Sequence, residues 1–113
     1  MLFNKKRNDE EIEEEVEQAV KASDKIQFAQ FKGDDDKYAL SLVKQIRDGI
    51  PFIINFEKVD ETVANKYIAF FIGALAVLDS RPVVINDNTY LFSKKENFFD
   101  GSLREFIDNI PRN

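Results

Sequence analysis

The segment from Ala64 to Leu78 is apolar around its whole helical circumference, and this constrains the chain more than any other feature. At 100° per residue, Ala64, Ile68, Phe71, Leu75 and Leu78 form one stripe, wide enough to cover one side of a small sheet. The opposite face begins polar with Asn65 and Lys66, then continues as Ala69, Phe70, Gly73, Ala76 and Val77. A helix apolar all round must be covered all round. At 113 residues the expectation is one compact domain with a tail, and a domain of roughly 88 residues has no third layer to provide that cover. Exposed Phe70 and Val77 would form a patch of the kind that marks an interface. Gly73 lies at the centre of this outer face, where glycine costs about 1 kcal/mol relative to alanine. Without a Cβ it lets a second helix approach closely. The expectation is self-association through Ala69, Phe70, Gly73 and Val77. The alternative is cover by the N-terminal segment or the last helix.

Composition removes several function classes. The chain has no Cys and no His, which excludes disulfide scaffolds, Cys/His zinc sites, thiolate or imidazole catalysis and any Ser-His-Asp triad. A net charge of −5 argues against unspecific nucleic-acid binding. The longest apolar run, Tyr67–Leu78, is twelve residues, against the ~20 that a spanning helix needs. Met1–Arg7 lacks the apolar core of a secretory signal, so the expected setting is the cytoplasm.

The chain divides near residue 25. Residues 1–25 carry five basic and eight acidic side chains, net −3. From Asp9 to Ala22, Ile12, Val16, Ala19 and Val20 recur at helical spacing among clustered Glu, which reads as a frayed acidic helix or tether. At its tip, Leu2 and Phe3 stand beside Lys5, Lys6 and Arg7, an apolar-basic pair of clusters suited to weak contact with an anionic membrane.

Residues 26–113 alternate strands and helices. Lys25–Phe31 alternates as a strand, and Gly33 with Asp34–Asp36 makes a turn and N-cap. The following helix places Ala39, Leu42, Val43 and Ile46 on one face and ends at Gly49. Pro51–Phe56 is a nearly continuous apolar run, as in a central strand covered on both faces. Asp60 caps the second helix. Pro82–Asn86 and Thr89–Ser93 read as a hairpin through Asp87-Asn88, suited to a type I′ turn with positive φ at both residues. That loop pairs Ile85 with Tyr90 and Val83 with Phe92 on one face, and Val84 with Leu91 on the other. A short last helix follows Asp100-Gly101-Ser102, with Leu103, Phe106, Ile107 and Ile110 apolar. The order β-α-β-α-β-β predicts an α/β (α+β) two-layer sandwich, two helices on one face of a small mixed sheet plus a short C-terminal helix.

Ile53-Ile54-Asn55-Phe56-Glu57-Lys58-Val59-Asp60, Ala64, Phe70-Phe71-Ile72-Gly73-Ala74 and Thr89-Tyr90-Leu91-Phe92-Ser93 together resemble the SepF family of bacterial cell-division proteins. The resemblance spans about residues 26–110. It implies a non-enzymatic adaptor without cofactor or metal, forming homodimers and polymers. It further implies binding of the C-terminal tail of the tubulin-like FtsZ, and tethering of FtsZ to the inner face of the membrane at the division site. Gly73 matches the glycine implicated in self-assembly, and Tyr90, with Phe92 on the same strand, matches the tail site. The chain departs from the family's pattern at Asp79-Ser80 in place of a Gly-Gly pair, at Val84 in place of a basic residue, at Asn86 in place of a turn glycine, and in its short N-terminus.

Two other readings compete. An enzyme would have to use Glu57, Asp60, Asp79 or Asp87. Asp60 is explained by capping, Asp87 by a turn, and Glu57 has no spaced partner. Glycines at 33, 49, 73 and 101 only make no phosphate-binding loop. A dimeric small-molecule-binding regulatory domain of ferredoxin-like or ACT-like type shares the element order and needs a pocket between subunits.

Overall fold

The two long helices each begin at a carboxylate cap. In the computed structural model, which describes residues 20–111, the first helix α1 spans Asp36–Arg47 and the second, α2, spans Glu61–Val77. Asp35 accepts from Tyr38 N at 3.0 Å, and Asp60 accepts from Val63 N at 2.9 Å. α1 ends at Gly49, whose φ of +113° lets Ile50 N turn back to Gln45 O at 3.0 Å.

Four strands, β1 (Gln27–Gln30), β2 (Phe52–Asn55), β3 (Val83–Asn86) and β4 (Thr89–Phe92), form one sheet in the order β1-β2-β4-β3. β1 runs parallel to β2, while β4 is antiparallel to both β2 and β3. The continuous apolar run of β2 places it at the centre, with Phe52, Ile53 and Ile54 all buried. Phe52 and Ile54 face α1 and α2, whereas Ile53 faces the other way.

The sheet therefore has two apolar sides. On one, Ala39, Leu42 and Ile46 of α1 and Tyr67, Phe71 and Leu75 of α2 bury Phe31, Phe56 and Phe92. On the other, the short helix α3 (Ser102–Asp108) sets Leu103 and Ile107 against Ile53, Ile85 and Leu91. A 3-10 turn at Ala22–Lys25 joins this second cluster through Ala22, buried although it falls in the tail of the sequence division. A further 3-10 turn at Lys95–Phe98 leads into α3. Its buried Asn97 donates to Gly49 O and Ser93 Oγ, both at 2.9 Å.

Two expectations need correction. The hairpin does not pair symmetrically: Val83 stands opposite Leu91, Val84 opposite Tyr90 and Asn86 opposite Thr89, with a bulge at Ile85. The extra residue shifts the register, so Val84 shares the helix-side face with Tyr90, and Ile85 shares the α3 side with Leu91. Neither Asp87 nor Asn88 has positive φ, so the turn is not type I′. Instead Asn86 Oδ1 accepts from Asn88 N at 2.9 Å, and Asn88 O accepts from Phe56 N at 2.8 Å. The inward stripe of α2 also differs. Tyr67 is buried with Phe71 and Leu75, while Ala64, Ile68 and Leu78 are only half-buried.

Candidate functional site

α1 and α2 pack on the same sheet face but differ in patterning. α1 is strongly one-sided, with Ala39, Leu42 and Ile46 inward. α2 is apolar on both sides, and its outer ribbon of Ala69, Phe70, Ile72, Gly73, Ala76 and Val77 is exposed. Val77 is 84% exposed. A Cβ built on Gly73 meets nothing within 4 Å, so glycine is not required there by packing among the described residues. α3 lies on the far side of the sheet and leaves this ribbon uncovered. Of the proposed self-association residues, Ala69, Phe70, Gly73 and Val77 thus share one open face, extended by Ile72. Ile72 was missed because its wheel position lies between the two stripes.

Phe70 also borders a hollow between the helices with Ala39, Leu40 and Lys66. At its end Lys66 Nζ donates to Asp34 and Asp36 at 2.7 and 2.9 Å, and Tyr67 Oη donates to the same carboxylates at 2.5 and 2.8 Å. The Lys66 ammonium first, then the Tyr67 hydroxyl, hold both carboxyls below their ordinary range. Burial, followed by the hydrogen bonds to Asp34 and Asp36, pushes the Tyr67 phenol up. This cluster fastens the start of α1 to α2 and explains why the bulky Tyr67 turns inward.

The β4 aromatics stand at different depths. Phe92 is 0% exposed and stacks on Phe71 at 4.8 Å, so its side chain offers no surface to a partner. Tyr90 is half-buried, stacked on Phe92 at 5.9 Å and edge-on to Phe56 at 6.0 Å. Its cross-strand neighbour Val84 is 58% exposed. Phe92 serves as the floor on which Tyr90 rests, and Tyr90 with Val84 makes the accessible part. At the far edge of β3 and β4, the departures from glycine are accommodated. Asp79 takes a φ of +56°, and Ser80 Oγ donates to Ser93 O at 2.6 Å.

On the α3 side, a groove of about 540 Å³ crosses the sheet. Phe28, Ile53, Ile85 and Phe106 contribute apolar walls, and no charged side chain among the described residues lines it. Its polar edge is a ladder across three strands: Gln30 Nε2 donates to Asn55 Oδ1, and Asn55 Nδ2 donates to Thr89 Oγ1, each at 2.8 Å. Sequence reasoning missed this groove because Phe28 alternates as an ordinary core position. The proposed membrane-contact residues Leu2, Phe3, Lys5, Lys6 and Arg7 lie outside the described residues. No helix among the described residues is long and apolar enough to cross a membrane.

No family model matches the chain. Over 67 residues it is 28% identical to a cell division protein SepF of Carboxydothermus hydrogenoformans, a stretch covering 59% of this chain and 49% of that protein. The chain spans about half the length of the curated relative it matches. This match supports reading the chain as SepF-like and divergent.

Proposed function

We propose that the chain is a non-enzymatic cell-division adaptor that self-associates through the outer face of α2 and binds the C-terminal tail of FtsZ. The observation that carries this reading is the open ribbon of Ala69, Phe70, Ile72, Gly73 and Val77, an apolar surface that covers nothing among the described residues. The similarity to a cell division protein SepF supplies the cellular process. In this reading a homodimer offers two equivalent tail sites at Tyr90 and Val84, supported from below by Phe92. Further assembly multiplies them. Each site can be weak, since linked sites raise avidity 10²–10⁴-fold without new contacts. The Leu2, Phe3, Lys5, Lys6 and Arg7 tip adds contact with an anionic membrane surface at the division site, read out by co-sedimentation with anionic vesicles.

Calorimetry with the C-terminal peptide of the host's FtsZ tests the partner. Binding should be measurable and should fall at least about ten-fold in Tyr90→Ala, the loss expected when an aromatic anchor is truncated. Equal affinity in a folded Tyr90→Ala variant removes Tyr90 from the site. No response to the peptide, with stabilisation by an amino acid or nucleotide in a thermal-shift screen, favours the small-molecule regulatory reading instead.

A further inference from the structure

The sheet ends in two edge strands, β1 and β3, and the two are unlike. An unpaired edge offers its outward N–H and C=O groups to any extended chain, and proteins blunt such edges with proline, bulges or charge. β3 has two of these devices: Pro82 precedes it, and a bulge interrupts it at Ile85. β1 has neither. From Ile26 to Phe31 the chain reads Ile-Gln-Phe-Ala-Gln-Phe, without charge, proline or glycine. Phe28 in its middle is 70% exposed.

The hydrogen bonds of β1 show which backbone groups point outward. Gln27 N donates to Pro51 O at 2.9 Å, and Phe31 N donates to Asn55 O at 3.1 Å. The odd-numbered residues thus turn their amides to β2, and the N–H and C=O of Phe28 and Gln30 point away from the sheet. No hydrogen bond among the described residues uses them. Phe28 stands beside Ile53 in the register with β2, which places its ring on the α3 side, at the margin of the groove.

We propose that β1 pairs antiparallel with β1 of a second copy, with Phe28 opposite Phe28. About that two-fold axis the two Phe28 residues exchange both backbone bonds, and Gln30 N of each copy reaches Ile26 O of the other. The axis stands perpendicular to the sheet, so each face keeps its side. The two exposed rings then meet on the α3 side as an aromatic cross-strand pair. Charge selects this occupant and this orientation. Asp24 and Lys32 lie equally far before and after Phe28, and both are exposed. The antiparallel register brings Lys32 of each copy to Asp24 of the other, whereas a parallel one sets Lys32 against Lys32 and Asp24 against Asp24. Lys25 Nζ is already engaged by Asn97 Oδ1 at 3.1 Å. This contact is separate from the outer face of α2 and leaves it free.

Amide exchange followed by nuclear magnetic resonance tests this on the full-length chain and on Gly73→Lys, which alters the α2 face alone. From micromolar to millimolar concentration, exchange at Phe28 and Gln30 should slow at least about ten-fold, equally in the two proteins. Phe31, bonded within its own sheet, should be slow throughout. Phe28→Lys, a change at an exposed position, should keep the Gln30 amide fast at every concentration. Lys32→Glu should move the transition to higher concentration, and adding Asp24→Lys should move it back. Fast exchange at every concentration overturns the proposal, and so does slow exchange at every dilution, the mark of cover by the chain's own residues. Slowing that vanishes in Gly73→Lys, survives Phe28→Lys or ignores the two charge changes also overturns it. Because the readout is confined to β1 amides, a failure of association through α2 leaves the result unchanged.

Discussion

Two aspartates illustrate how single side chains hold this fold. Asp79 adopts the left-handed conformation that glycine takes freely and other L-residues pay for. Its side chain makes a 3.6 Å contact with Lys95, both side chains well exposed, which contributes little. Asp79→Gly should therefore stabilise the domain by about 0.5–1 kcal/mol, a rise of a few degrees in Tm by calorimetry, unless that tie is stronger than its exposure implies. A lower Tm would show that it is. Asp100 works in the opposite sense, as a residue chosen for its charge. The Ala22 amide first, then the amide and hydroxyl of Ser102, hold its carboxyl down to about 2. Against an ordinary value of 3.8, a lowered folded value means stability present above about pH 4 and lost as pH falls towards 2. Asp100→Asn should lower Tm at pH 6, and the gap from the native chain should close between pH 4 and pH 2. A gap that stays constant to pH 2 would contradict the role given to the charge. Asp34 and Asp36 are also held below the usual carboxylate range, by Lys66 first and then Tyr67, but they are common to both proteins and cancel.

At the scale of elements, helices and strands were legible wherever one physical cause dominated. The caps at Asp35 and Asp60, the stop at Gly49 and the central run of β2 each rest on local chemistry that the sequence displays directly. The hairpin misled because a bulge depends on fit between strands: a slip of one residue at Ile85 moved Val84 and Ile85 to the faces opposite those expected. Tyr67 misled for a related reason. Its ring sits on the wheel beside Lys66, and only the approach of Asp34 and Asp36 from another element makes its burial favourable. Phe92 was legible as an aromatic strand residue, yet its depth behind Tyr90 is a property of packing against Phe71. The α1–α2 fastening can be measured. Tyr67→Phe keeps the buried ring and removes a hydroxyl bonded to two carboxylates, so unfolding free energy in urea should fall by about 1–3 kcal/mol. An unchanged midpoint would show that Lys66 alone carries the fastening.

Taken whole, the molecule has two faces with different prospects. The α3 side is partly covered by its own C-terminal helix, with Ala22 packed beside it. The α2 side ends in an apolar ribbon with glycine at its centre and no described residue upon it. Burial of such a ribbon against a second copy stabilises at about 25 cal/mol per Å² before association costs, and a close helix approach at Gly73 increases the contact. Sedimentation or light scattering of the full-length chain and of Gly73→Lys over a wide concentration range measures this directly. The native chain should grow in mass with concentration, and Gly73→Lys should remain a smaller species with an unchanged circular dichroism spectrum. Identical masses for the two proteins at every concentration, or a native chain that stays a monomer throughout, would contradict self-association through α2.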